Sequence, residues 1–180
     1  MGTPKALLIY DGETFLDRTI RIFEQVCDPV IVVLGHGGAQ IRAGIARPSR
    51  AIFVTNPDPE RGMLSSLQCA LYAVPEDAAA VMFTPVDHPG LQRSTLELLA
   101  RQFRADRAPV TVPTHGGKHG HPVCIERSLI TELLLLEPAA QASDVIHRYR
   151  GQTVYVPVPD ASVTHDVDDP ETYRAMVTPR

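Results

Sequence analysis

Short β-branched runs alternate along this chain with stretches whose apolar residues recur every three or four positions. Val30-Ile-Val-Val-Leu34 is followed by Gly35-His36-Gly37-Gly38, which predicts a buried strand and then a turn. Before it, Phe15, Ile20, Ile22, Phe23 and Val26 fall on one helix face. Ala51-Ile-Phe-Val-Thr55 reads as a second strand, stopped by Asn56-Pro57. Gly62 to Ala73 reads as a helix with Leu64, Leu67, Leu71 and Val74 on its apolar side. Ala79-Ala-Val-Met-Phe-Thr84 is a third strand that runs into Pro85-Val86-Asp87-His88-Pro89, where proline ends regular structure. Ser94 is placed as the cap of a helix through Phe103, with Glu97 in capping-box spacing.

Pro109-Val-Thr-Val112 predicts a fourth strand, His115 to His121 a flexible glycine-rich loop, and Pro122-Val-Cys-Ile125 a short returning strand. Leu129 to Leu136 and Ser143 to Tyr149 read as helices, and Thr153 to Val158 as a late strand. Asp169-Pro170-Glu171 opens a terminal helix with proline at its first position. Apolar strands separated by helices predict an α/β fold: a Rossmann-like, doubly wound, mostly parallel sheet covered on both faces. In such a sheet the ligand sits beyond the carboxyl ends of the strands. Attention therefore falls on Gly35–Gly38, Asn56–Ser66, Pro85–Pro89 and His115–His121.

Composition narrows the classes. Of 180 residues, 44% are hydrophobic and 21% charged, a globular balance that excludes disorder. The length suits one domain over 1–180, and no repeat or linker marks a boundary. Lys plus Arg is 17 against 21 for Asp plus Glu, a formal charge of -4, which argues against a duplex nucleic-acid partner. No apolar run reaches the ~20 residues that span a bilayer. Met1 to Leu8 lacks signal-peptide anatomy, so no membrane and a cytoplasmic location are expected. Cys27, Cys69 and Cys124 are far apart and odd in number, as for reduced, mostly buried thiols.

Several residues carry candidate chemistry. Asp87 lies between prolines at the end of a strand. It reads either as a carboxylate for Mg2+, which takes one or two protein carboxylates, or as an Asx-turn residue. Asp166, Asp168 and Asp169 precede Pro170, where one acid caps the helix and a neighbour is free to meet a metal. Gly62 and Ser65 start a helix whose backbone N–H groups suit phosphate, ribose or a base edge, or simply cap it. His115-Gly-Gly-Lys118-His-Gly-His121-Pro122 reads as a substrate-contacting loop with Lys118 and the histidines as donors, or as an exposed polar turn. Zinc fits it poorly, since no Cys or carboxylate lies at ligand spacing within it. Neither a Gly-x-Ser-x-Gly elbow, a Walker A loop nor a complete Gly-x-Gly-x-x-Gly is present.

Six pieces, in order, resemble the MobA-like NTP transferase family, in particular its molybdenum cofactor cytidylyltransferase branch. Met1-Gly-Thr-Pro-Lys5-Ala-Leu-Leu resembles the end of the signature L-A-A-G-x-S-x-R-M-G-x-x-K, and Gly12 to Asp17 the start of the first helix. Gly62-Met-Leu-Ser-Ser-Leu67 resembles the nucleotide-side helix start. Pro85-Val-Asp-His-Pro89 resembles the D-x-P metal motif, Gly120-His-Pro-Val123 the G-H-P turn, and Asp166-Val-Asp-Asp-Pro-Glu171 the D-x-D-T-P-E-D ending.

The resemblance implies a nucleotide-diphospho-sugar transferase type of fold and transfer of CMP from CTP to a phosphate of a molybdopterin-type acceptor. It implies Mg2+ on Asp87 with Asp168 or Asp166, Lys5 on the α-phosphate, and Gly2, Gly35, Gly62 and Ser65 on the nucleotide. His121 and Pro122 fall to the acceptor side. A molybdoenzyme partner and a homo-oligomer are further implications. Two alternatives stay open: another small-phosphate nucleotidyltransferase, such as one for sugar phosphates, and a non-catalytic nucleotide- or pterin-binding accessory protein. The family signature begins with a mid-sheet strand of about 5 residues and a loop that grips the triphosphate. Only the end of that signature is present, so either Met1 is an internal methionine of a longer native chain or the chain is a true truncation with impaired catalysis; the first is expected, with the chain that starts at Met1 distorted or stabilised by oligomerisation.

Overall fold

The computed structural model describes residues 2–178; Met1, the first residue of the signature-like piece, lies outside the described residues. A small hairpin, β1 (Ile9–Tyr10) and β2 (Glu13–Thr14), leads into α1 (Phe15–Phe23). Then follow β3 (Ile31–Leu34), α2 (Gly38–Gly44), β4 (Ile52–Thr55), α3 (Met63–Tyr72), β5 (Ala80–Phe83) and α4 (Arg93–Asp106). The second half holds β6 (Val110–His115), β7 (Lys118–His119), β8 (Val123–Glu126), α5 (Leu129–Leu134), α6 (Ala142–Arg148), β9 (Thr153–Pro157) and α7 (Pro170–Val177). No helix of the described residues is long and apolar enough to cross a membrane.

The predicted α/β alternation is what forms. Pairing is parallel between β3 and β4 and between β6 and β9. β8 runs antiparallel to both β5 and β6. The reason is local. Gly116 and Gly117 adopt φ of 57° and 79°, so β6 turns tightly through β7, and so short a connection can only return antiparallel. The segment expected to be a flexible loop is therefore a hairpin. β6 also continues past Val112 through Pro113. The Pro113 carbonyl accepts from the Gly120 N–H at 3.0 Å, so its backbone faces the side on which the β8 ladder has already ended at Thr111. The missing N–H breaks no ladder bond there.

Strand alternation builds the two faces. Val81 and Phe83 pack with Leu67 and Leu71 of α3, whereas Met82 packs with Ile22 and Phe23 of α1 and with Leu96 and Leu99 of α4. Val30 and Val32 lie against Leu16 and Ile20 of α1, while α3 contacts β3 as well. Helices on both faces thus span β3 and β5, but the strands do not bond to each other. Among the described residues β3 pairs with β4 alone and β5 with β8 alone. This division separates the β3–β4 pair from the five-stranded sheet that holds β5 to β9. It also explains why the apolar runs of β3 and β5 are mostly half-buried, whereas Val110, Thr111, Val112, Val123, Cys124 and Ile125 are buried.

Helix α4 starts differently from the expectation. Gln92 is its N-cap residue and Ser94 lies in the first turn without a capping bond. Glu97 instead pairs with Arg93 at 2.5 Å. The acceptor for this helix end comes from a distant segment. The buried Asp160 carboxylate accepts from the Gln92 N–H at 3.0 Å and the Thr95 hydroxyl at 2.8 Å. The cap is tertiary, so no local pattern announces it.

Local opening follows how well each strand's backbone is paired. Amides of β6 and β8, each flanked by strands on both sides, are expected to exchange at least about tenfold more slowly than those of β3 and β5. Hydrogen exchange resolved by residue checks this, and uniform protection across the four strands would contradict the divided sheet.

Candidate functional site

Proline lacks an N–H and fixes φ, so Pro85 and Pro89 end the β5 ladder and bracket a short turn. The turn is pinned from three sides. Arg18 Nε donates to the Pro89 carbonyl at 2.7 Å. The Val167 N–H donates to the Asp87 carbonyl at 2.9 Å. His88, only 7% exposed, sets its Nδ1 3.4 Å from the Ser162 carbonyl oxygen. The Asp87 side chain is thereby held at the carboxyl end of β5, facing the segment that carries Asp166 and Asp168. Val167 between those two acids is 2% exposed and anchors that segment in the core.

Lys5 completes the cluster. It opens a short 3-10 turn, Lys5–Leu7, whose Ala6 is buried. Its Nζ donates to Asp168 Oδ1 at 2.6 Å and lies 3.7 Å from Asp87 Oδ2. Burial pulls the Lys5 pKa down, but the Asp168 hydrogen bond and the charges of Asp87, Asp168 and Asp166 outweigh it and leave it above the ordinary lysine value. The Lys5 hydrogen bond and charge in turn hold Asp168 below the usual carboxylate range. Asp169 is the cap: it accepts from the Glu171 and Thr172 N–H groups, each at 2.8 Å. Capping and cation binding are thus divided between neighbouring acids.

The cluster has an electrostatic remainder. Asp87 Oδ1 is buried with no hydrogen-bond partner, and His88 Nε2 is 3.9 Å away. Hard carboxylate oxygens with one lone acceptor suit a small divalent cation. Among the described residues no group of three or more His, Cys, Asp or Glu gathers as a metal cage, so the fit is to an ion that keeps water or phosphate in most of its shell. At the histidine hairpin His119 stacks on Tyr155 with centroids 4.4 Å apart and His115 bonds the Val158 carbonyl.

Only His121 of that hairpin region joins the cluster. Gly120 makes this possible: a Cβ there would lie 2.1 Å from the Val163 carbonyl oxygen, and the His121 N–H donates to that oxygen at 2.8 Å. The His121 ring lies 4.9 Å from that of His88. Burial first, and the neighbouring His88 second, push the His121 pKa down to about 4, and its Nδ1 is buried without a partner. Pro122 follows at the start of β8.

The nucleotide-side candidates form a second group at the same strand ends. Gly35 follows β3, and a Cβ on it would meet the Pro59 side chain at 2.9 Å. His36 Nε2 bonds Glu60 Oε1 at 2.6 Å, which joins the two loops. Gly62 adopts φ of 83° with open space around it and leaves the N-terminus of α3 without a side-chain cap. Ser65 is placed otherwise than a direct nucleotide contact needs. It is 5% exposed, accepts from Asn56 Nδ2 at 2.8 Å and donates to the Gly62 carbonyl at 2.8 Å. Its hydroxyl holds the loop. A cleft of about 280 Å3 beside this helix start is lined by Asn56, Arg61, Gln68, Tyr72 and Leu136. Gly2 is exposed.

Sequence reasoning missed His88, Asn56 and Asp160. His88 stood inside the Pro85–Pro89 piece, and its only signal was its position next to Asp87. Two of the three thiols are poor nucleophiles, since burial pushes Cys27 up to about 11 and Cys124 up to about 12.

Known proteins resemble this chain over most of its length. The family model of the MobA-like NTP transferase domain matches residues 1–154. The molybdenum cofactor cytidylyltransferase of Escherichia coli (strain K12) is 24% identical over 173 residues, covering 96% of this chain and 86% of that protein. The crystal structure of Rv0371c from Mycobacterium tuberculosis H37Rv superposes with a TM-score of 0.86 at 29% identity, covering 98% of this chain and 90% of that one. Its complex with manganese gives 0.82 at 27%, covering 97% and 91%.

The buried imidazole carries a pH signature. The His121 pKa in the folded state, about 4, lies below the unfolded value of ~6.5. The unfolded state therefore binds more protons between those values, and stability rises with pH across the window. The His121 contribution is complete above pH ~6.5 and is lost as pH falls toward ~4, by on the order of 3 kcal/mol. Urea unfolding of wild type and His121→Gln at pH 7 and 4.5 checks this; the variant is expected to show the shallower pH dependence.

Proposed function

Because the chain belongs to the MobA-like NTP transferase family and is a nucleotidyltransferase, we propose that it transfers CMP from CTP to a phosphate of a molybdopterin-type acceptor. The observation that carries this reading is the convergence of Lys5, Asp87 and Asp168 at the carboxyl end of β5. An oxygen of the acceptor phosphate attacks the α-phosphorus, the bond to the β-phosphate breaks, and pyrophosphate leaves with that electron pair. The nucleophile is already an anion, so no base is required. The barrier lies in bringing polyanions together, which positioned cations lower.

Asp87 and Asp168, with Asp166 as the further acid, would hold Mg2+. When bound, that ion supplies charge neutralisation to the phosphates. Lys5 is placed to neutralise the α-phosphate as charge builds there. Gly35, Gly62 and the open N-terminus of α3 receive the nucleotide together with Gly2, and Ser65 braces the loop from within. On the acceptor side His121 is neutral at physiological pH, so it contributes hydrogen bonding rather than charge, and Pro122 fixes the turn after it. Support for CTP comes from the likeness to the cytidylyltransferase over 96% of the chain. The manganese complex of the mycobacterial neighbour supports a divalent ion in this fold.

Pyrophosphate release with Mg2+ and molybdopterin is expected to favour CTP over GTP, UTP and ATP. Asp87→Asn should lower kcat by at least about 100-fold without moving the unfolding midpoint, because the Val167 bond uses the Asp87 backbone. A folded, fully active Asp87→Asn protein would remove the metal assignment, and equal turnover of GTP would remove the nucleotide assignment.

A further inference from the structure

The distances around Lys5 bear on how a cation reaches the site. Lys5 Nζ is 2.6 Å from Asp168 Oδ1 and 3.7 Å from Asp87 Oδ2. It is thus the cation between the same two carboxylates that are assigned to the metal. Mg2+ sits ~2.0–2.1 Å from a carboxylate oxygen. With Nζ hydrogen-bonded to the same carboxylate, the two positive charges would be held within a few ångströms of each other. Both cannot occupy those oxygens at full strength.

We propose that Lys5 is a resident counterion that competes with the divalent cation for Asp168 and Asp87, and that an incoming triphosphate opens the metal site by drawing Lys5 onto itself. The proposal rests on the transferase reading of this cluster, but it concerns what the chain does before substrate arrives. Three features favour it. Three acids, Asp87, Asp166 and Asp168, act on one ammonium, so the cluster stays negative with Lys5 in place and still attracts a cation. Asp87 Oδ1 is left without a partner, so Lys5 satisfies the acids only in part. The Lys5 side chain is 32% exposed, which leaves it room to swing toward a ligand on a flexible four-carbon stem.

The consequence is a coupling between nucleotide and metal. A ligand that takes Lys5 away raises metal affinity, and by linkage the metal raises the affinity for that ligand. The ligand-free protein is therefore a poor metal binder, protected from holding a divalent ion with no phosphate to complete its shell. Lys5 then has two partners in turn: carboxylates in the free protein and phosphate in the complex.

The test uses Mn2+ alone on the full chain, without nucleotide, read by the electron paramagnetic resonance of free Mn2+. Lys5→Met is expected to bind Mn2+ at least about tenfold more tightly than wild type, a gain equivalent to about 1.4 kcal/mol. Adding Asp168→Asn to Lys5→Met should abolish the gain. Lys5→Gln, which keeps a polar head without the charge, should behave like Lys5→Met and serves if that variant folds poorly. Equal or weaker Mn2+ binding by both Lys5 variants overturns the competition, as does a gain that persists with Asp168→Asn. Pyrophosphate release by the wild type is scored separately. Its absence with every nucleoside triphosphate overturns the reaction assigned to the site, whereas the Mn2+ affinities decide the competition.

Discussion

Asp87, Asp166 and Asp168 repel one another when ionised, and a fold that brings them together needs a cation among them. Lys5 is that cation, and its two contacts tie the first residues of the chain to the turn after β5, at Asp87, and to the last loop before α7, at Asp168. The contact joins segments 163 residues apart. Near the surface an ion pair adds little stability, so its meaning is chemical. It marks the place where the protein has arranged negative oxygens to face a positive charge, and where phosphate and metal have a reason to exchange places with it.

Buried polar groups away from Lys5 do the structural work that makes this arrangement rigid. Asp160 gathers the Gln92 and Ser162 N–H groups with the Thr95 and Ser162 hydroxyls. It thereby locks the loop after β9 to the start of α4. Asp17 accepts from the Ala46 and Arg47 N–H groups and holds α1 against the chain that follows α2. Tyr173 donates to the Ile9 carbonyl at 2.9 Å, which seats α7 on the opening hairpin. Residues of the same type therefore take opposite roles: Asp160 and Asp17 saturate their oxygens with protein donors, while Asp87 keeps one buried oxygen without any. That difference separates scaffold from site.

Much of the fold was legible in the residue pattern. β3, β4, β5 and β9 lie within a residue or so of the apolar runs that predict them, because a short β-branched run bounded by glycine or proline has few other ways to bury itself. The same holds for Asp169 and Pro170 at the start of α7, where the cap is local chemistry. The pattern failed where distant segments supplied the deciding partner. Ser94 looked like a cap, but the Asp160 carboxylate took that role. Ser65 looked like a ligand, but Asn56 and Gly62 claimed its hydroxyl. His88 offered no periodic signal, yet it lies buried against both Asp87 and His121.

The sequence by itself determined the alternation of strands and helices, the family, and the identity of the acids at the strand ends, since each rests on residues close together in the chain. Only the tertiary structure decided which acid caps and which meets Lys5, which histidine of the loop turns inward, and where the sheet divides. Those outcomes depend on pairings between segments up to 163 residues apart. Charge compensation, close approach at Gly120 and ladder pairing are settled by what lies opposite in space, and the order of residues along the chain does not record that.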